Sequence, residues 1–217
     1  MPAGNGLDWN QFKPNVNSPI PEQWRGFVTQ QGSGLEVVPG QLYDTELYTS
    51  ATTREITFFV NTQNKSLNRT NMVQPGQLPW PESMLVLNIR LYFKSRLRSE
   101  ESGVPPVNLA SQADDVIQLT QEGVMELKIG EKSYGPFLPW TLPANSFVKG
   151  GIAQSGSDLL IDFAQLDGAL YPMVPALVLA PMQQFKIKIS WPDAALTLSQ
   201  NTNIVCLLDG QRARAIQ

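Results

Sequence analysis

At 217 residues the chain suffices for one domain, or one domain with an arm, and can bury roughly 70% of its unfolded surface without staples. Charged residues make up 16%, well under the usual quarter, and a net charge of −3 with a pI near 5.0 disfavours a generally basic nucleic-acid binder. Zero histidines and one cysteine exclude Ser-His-Asp and Cys-His catalysis, His-ligated zinc, the cupin type of metal centre, thiolate clusters and an intrachain disulfide.

Residues 1–45 read as an extended arm. Prolines in "NSPIPEQW" and "VVPGQLYD" oppose helix and central strand, and "QQGSGLE" is flexible. The start of the chain has neither a basic n-region nor an apolar h-region, so no signal peptide is expected. Trp9, Phe12, Trp24 and Phe27 are spaced apolar anchors, which disordered tails usually lack; they are candidate contacts to a neighbouring subunit.

Residues 46–217 read as the folded domain. "REITFFVN" (54–61) is the first expected strand, with Ile56, Phe58 and Val60 inward. Residues 61–83 form a long polar loop; the acceptor triplets at Asn64 and Asn68 are read as part of it. Met84–Phe93 is the second strand, with Leu85, Leu87, Ile89, Leu91 and Phe93 on one parity. Asn88, Arg90, Tyr92, Lys94, Arg96 and Arg98 fall on the other, a cationic face in a weakly acidic protein.

"SQADDVIQLTQEG" (111–123) is the helix candidate, capped by Ser111 or Asp114 and stopped by Gly123. "VMELKIGEKSYGPF" reads as a hairpin turning near Gly130-Glu131-Lys132. Strands are expected at 158–166, 176–180, 183–191 and 203–210, the last apolar on both faces and holding Cys206 as a buried, inert thiol. Eight strands, one short helix and long loops predict an all-β fold: a single eight-stranded jelly-roll sandwich with an extended N-terminal arm.

No phosphate loop, nucleophile elbow or HExxH is present, and nothing draws Glu126, Asp158 and Asp162 together as a glycosidase pair. No catalytic residue, metal, cofactor or small-molecule substrate is therefore expected, and the chain is read as not an enzyme. Trp80, Trp140 and Trp191 each adjoin a proline and are either sugar-stacking platforms or plugs at the ends of the sandwich. No window approaches a membrane span.

Four stretches, "QPGQLPWPESMLVLNIRLYF", "GVMELKIGEKSYGPFLPWTLPA", "LVLAPMQQFKIKISWP" and "VCLLDGQRARAIQ", follow one another in an order and texture that resembles a viral jelly-roll capsid protein of the small tailless icosahedral bacteriophages. The resemblance runs over about 46–217. It implies a virion shell subunit, assembled in the host cytoplasm, that meets copies of itself and other virion proteins, with the arm tying neighbours together. Many relatives carry two jelly rolls in one chain; this chain is short for that.

A jelly roll of these eight strands makes the second and seventh sheet neighbours. Arg90, Lys94, Lys186 and Lys188 then form one patch, extended by Arg96 and Arg98: either a solvated face whose lysines splay apart, or a surface that meets anions supplied on assembly, first of all those of an adjacent subunit and otherwise those of the genome or an internal lipid layer. The alternative is a carbohydrate- or receptor-binding jelly-roll module of a spike or fibre tip, marked by tryptophans lining one groove.

Overall fold

A computed structural model describes residues 35–94, 109–141, 147–149, 152–155, 158–161, 165–167 and 171–215. The period-2 runs become strands, and the order is β1 (Leu35–Tyr48), β2 (Glu55–Phe58), β3 (Ser83–Lys94), helix α1 (Leu109–Gln121), β4 (Val124–Ile129) and β5 (Lys132–Phe137). A 3-10 turn (Pro139–Thr141) and four short strands follow: β6 (Phe147–Lys149), β7 (Ile152–Ser155), β8 (Asp158–Ile161) and β9 (Gln165–Asp167). The chain ends in β10 (Tyr171–Leu179), β11 (Phe185–Ser190) and β12 (Thr202–Ala215).

Eight of these strands form two four-stranded antiparallel sheets, β1-β12-β3-β10 and β2-β11-β4-β5. The fold is thus an all-β sandwich, 55% strand, with one short α-helix among the described residues. Among the eight, the first pairs with the last, the second with the seventh, the third with the sixth and the fourth with the fifth, a nested set of antiparallel ladders. The short strands pair among themselves, β6 with β9 and β7 with β8.

One core lies between the sheets. Leu42, Ile89, Leu91, Ile204, Cys206 and Leu208 from the first sheet meet Ile56, Phe58, Met125, Leu127, Phe185, Ile187 and Ile189 from the second. The expected inward faces of β4 and β11 hold throughout, and the hairpin turns at Gly130 and Glu131, with Gly130 at φ +56°. Cys206 is a free buried thiol; burial first, then the charges of Asp44 and Asp209, push its pKa well up.

One end of the sandwich is closed by Trp191. Its ring meets Tyr48 edge-on at 4.7 Å, and its Nε1–H donates to the Leu119 carbonyl at 3.1 Å. A Cβ on Gly123 would stand 3.2 Å from that nitrogen and 2.8 Å from the same carbonyl oxygen, so the residue that ends the helix also admits the indole. Asp115 sits well inside α1, which begins two residues earlier than expected; it is buried and accepts the Ser199 N–H and hydroxyl at 2.9 and 2.5 Å.

Four expectations shift. First, the segment from Leu35 to Thr45, assigned to the arm, is the start of the longest edge strand; Pro39 is tolerated because β1 is an edge. Second, β2 stops at Phe58. Phe59 takes a φ of +71° and turns inward against Phe185, leaving Val60 exposed. Third, the expected strand over 158–166 supplies only the short β8 and part of β9, outside the main sheets; β1 takes its place among the eight.

The fourth concerns β3. Its ladder with β12 slips between Asp209 and Gly210, so that Asn88 faces Asp209 but Val86 faces Gly210, and Leu87 is the extra residue. Before this bulge Met84 and Val86 enter the core; after it Ile89 and Leu91 do. Gly210 is obligatory here, since a Cβ would lie 1.8 Å from the Leu85 carbonyl oxygen. Leu85 and Leu87 therefore leave the core and point out of the sandwich.

Candidate subunit-contact surface

The nested topology settles where the cations lie. β3 belongs to the first sheet, between β12 and β10, whereas β11 belongs to the second, between β2 and β4. The single patch of Arg90, Lys94, Lys186 and Lys188 is therefore divided between two sheets. Because β1 opens the order, Met84–Phe93 lies in the third principal strand, while the seventh, β11, pairs with the second in the other sheet.

On β3, Arg90 already has its anion. Its Nε donates to Asp209 Oδ2 at 2.5 Å and an Nη to Oδ1 at 2.8 Å, the two-pronged geometry that arginine makes with a carboxylate. Gln41 adds a third donor to Asp209 at 2.7 Å. Lys94 is placed by its backbone opposite Asn203 at the end of the strand. Arg96, Arg98, Trp9, Phe12, Trp24 and Phe27 lie outside the described residues.

The second sheet carries a wet, mixed outer face. Lys188 stands across from Glu126 and reaches Glu55 at 3.3 Å. Lys186 stands directly across from Lys128 and is exposed. Glu126 also accepts the Ser133 hydroxyl. Lys188, and Lys128 at 4.0 Å from Glu131, thus share space with carboxylates, and the like-charged cross-strand pair is Lys186 with Lys128.

The outer face of the first sheet differs. Two cross-strand rows build it: Val37, Ala213 and Ser83, then Pro39, Gln211, Leu85 and Val178. With Leu87 and Ala176 the apolar members form a second cluster, separate from the core, and all six side chains come from the sheet's own four strands. Leu85 is only 1% exposed and Ala213 and Gln211 are fully buried. Both amide atoms of Gln211 and the Ser83 hydroxyl are buried with no hydrogen-bond partner. Each such group costs roughly 1–3 kcal/mol if left so.

A third cluster seals the open edge of β1. Asp44, fully buried, accepts the Phe59 N–H at 2.6 Å and Lys65 Nζ at 2.8 Å, and Lys65 also reaches Glu46 at 2.6 Å. Thr70 and Asn71 bond the Tyr43 backbone alongside. The loop so anchored caps an edge that would otherwise invite another strand. Glu46 has its pKa raised, chiefly by burial, against the lowering effect of Lys65.

The three tryptophans do not line one groove. Trp191 is buried; Trp80 and Trp140 are exposed. Trp80 follows Leu78, whose carbonyl accepts the Met182 N–H at 2.9 Å, and so lies near the starts of β3 and β11, while Trp140 follows β5 at the end where β11 finishes. These are opposite ends of the sandwich. Among the described residues no group of three or more Asp, Glu or Cys side chains is placed to hold a metal, and no helix is long and apolar enough to cross a membrane. Comparison with protein-family models, curated proteins and solved structures finds no match for the chain.

Proposed function

We propose that the sandwich is a jelly roll and that the chain is a structural subunit of a virion shell, meeting copies of itself. The observation that carries this reading is the nesting of the ladders, first with last down to fourth with fifth, which is how a long antiparallel hairpin rolls into a double-sheet jelly roll. Such sandwiches serve as capsid subunits, as lectins and as cupins. The absence of histidine removes the cupin type of metal centre, and the division of Trp80 from Trp140 removes the groove that favoured a sugar-binding module. The resemblance of residues 46–217 to phage capsid proteins points the same way, as does the sparsely charged composition, since charge is depleted at interface cores.

The test is native mass followed by negative-stain microscopy across a range of ionic strength. Shells, sheets or closed rings are expected. A protein that stays monomeric under every condition, while binding an immobilised glycan, would transfer the chain to the spike or fibre-tip reading.

A further inference from the structure

Asp44 and Glu46 lie two residues apart on β1, so their side chains share a face, the inward one that also carries Leu42 and Tyr48. The loop between β2 and β3 brings Lys65 to both. Its Nζ stands 2.8 Å from Asp44 Oδ1 and 2.6 Å from Glu46 Oε1, and the lysine side chain is only 10% exposed. The other Asp44 oxygen, Oδ2, accepts the Phe59 N–H at 2.6 Å. We propose that these groups form a self-reacting centre: Lys65 Nζ condenses with the Asp44 carboxyl to give an isopeptide bond that staples the loop to β1, with Glu46 as the catalytic proton carrier.

Three observations carry the assignment. The first is proximity. Nucleophile and carboxyl are already in contact inside one fold, and well-oriented groups of this kind react with effective molarities of roughly 10⁵–10⁸ M. The second is the proton carrier. Glu46 touches the reacting nitrogen, and burial raises its pKa, which suits a carboxylate that takes a proton and gives it back. The third is the donor on Oδ2. Phe59 holds a φ of +71°, a region that bulky residues rarely enter, and its N–H meets the oxygen on which charge gathers when the nitrogen adds to Cγ.

The step balances within the chain. A proton passes from the Lys65 ammonium to Asp44 Oδ1, leaving an amine and a carboxylic acid. Nζ adds its lone pair to Cγ, and the C=O electron pair moves onto Oδ2 beside the Phe59 N–H. Glu46 takes a proton from the nitrogen, now positive, and passes it to Oδ1. The Cγ–Oδ1 bond breaks, water leaves with that electron pair, and Oδ2 returns to a carbonyl. Ammonium and carboxylate thus become amide and water, with no oxidant, reductant or co-reactant. In bulk water the hydration of both ions opposes this. Here Asp44 is fully buried, and one neutral amide replaces two charges held out of water.

The inference does not rest on the shell reading, and its test uses denatured chains, so assembly does not enter. The intact mass of the purified full chain is expected to fall short of its sequence mass by one water. Tryptic digestion is expected to yield a branched peptide joining the segment that ends at Arg54 to the one that ends at Arg69, uncut at Lys65. Lys65→Arg keeps the positive charge without a nucleophilic amine and should carry the full mass. Glu46→Gln keeps both reactants and should form the bond at least about a hundredfold more slowly, followed by intact mass from the time of synthesis. A wild-type chain that unfolds cooperatively yet keeps its full mass after long incubation would overturn the proposal, and so would a water loss that maps to other residues. A Glu46→Gln chain that links as fast as wild type would overturn the part given to Glu46.

Discussion

The two sheets pack the same core with opposite outsides. The second sheet turns lysine, glutamate and serine to water in alternating cross-strand rows. The first turns leucine, valine, alanine and an unpartnered glutamine to a dry cluster, and keeps its one outward arginine tied to Asp209. A β-sandwich with no further contacts resembles the second sheet on both sides. The asymmetry marks the first sheet as the layer on which something else rests.

The comparison breaks most visibly by truncation. Leu85→Ala is expected to cost about 2–5 kcal/mol, the toll of a core leucine, although Leu85 lies outside the sandwich. Lys186→Ala on the other sheet should stay within about 0.5 kcal/mol of wild type. Urea unfolding of both variants at neutral pH measures the pair. Equal, small effects would mean that the first outer face is as wet as the second.

That contrast was only half legible in the residues. The alternation from Leu85 to Phe93 is unbroken, so it reads as a single inward face. The bulge at Leu87 is admitted by Gly210, 123 residues away, where a Cβ would meet the Leu85 carbonyl oxygen, and no local pattern encodes that approach. β1 was hidden by Pro39, harmless only because the strand is an edge, and edge position follows from the whole sheet. The inward faces of β4 and β11, the hairpin at Gly130 and the buried Cys206 were readable because each depends on local alternation or a local turn. Of the candidate contacts, Arg90 reads correctly as a cation on an outward face; its partner Asp209 lies on another strand, 119 positions along, where only topology could bring it.

The ion pair gives the next effect. Arg90→Ala should cost about 1 kcal/mol, since the pair is partly exposed and Gln41 still donates to Asp209. The loss should shrink as salt rises, read from urea midpoints at low and high ionic strength. A cost independent of salt would point to packing of the arginine stem rather than charge.

Lys186→Glu should act in the opposite sense and more weakly. It replaces a like-charged pair with Lys128 by an opposite one, worth roughly 0.2–1 kcal/mol in favour of the fold. If the second sheet's face meets an acidic neighbour in the shell, the same change stops assembly while thermal unfolding stays cooperative. A variant that is more stable and assembles normally would leave Lys186 as solvated surface.

The smallest effect asks whether dryness in the first sheet extends to its inner margin, where Glu46 meets Lys65. Burial raises the Glu46 pKa above its ordinary value near 4.5, so the folded state holds this proton more tightly than the unfolded chain does. Its contribution to stability is therefore fully present below pH 4.5 and is lost as pH rises through the raised value. Glu46→Gln, which cannot ionise, lacks that loss. The difference in unfolding free energy, wild type minus variant, should accordingly fall as pH rises above 4.5, by an amount limited by the ion pair with Lys65. Urea titrations of both proteins between acid and neutral pH give the slope. A difference that instead grows with pH would mean that Lys65 outweighs burial and that this margin behaves like the wet face of the other sheet.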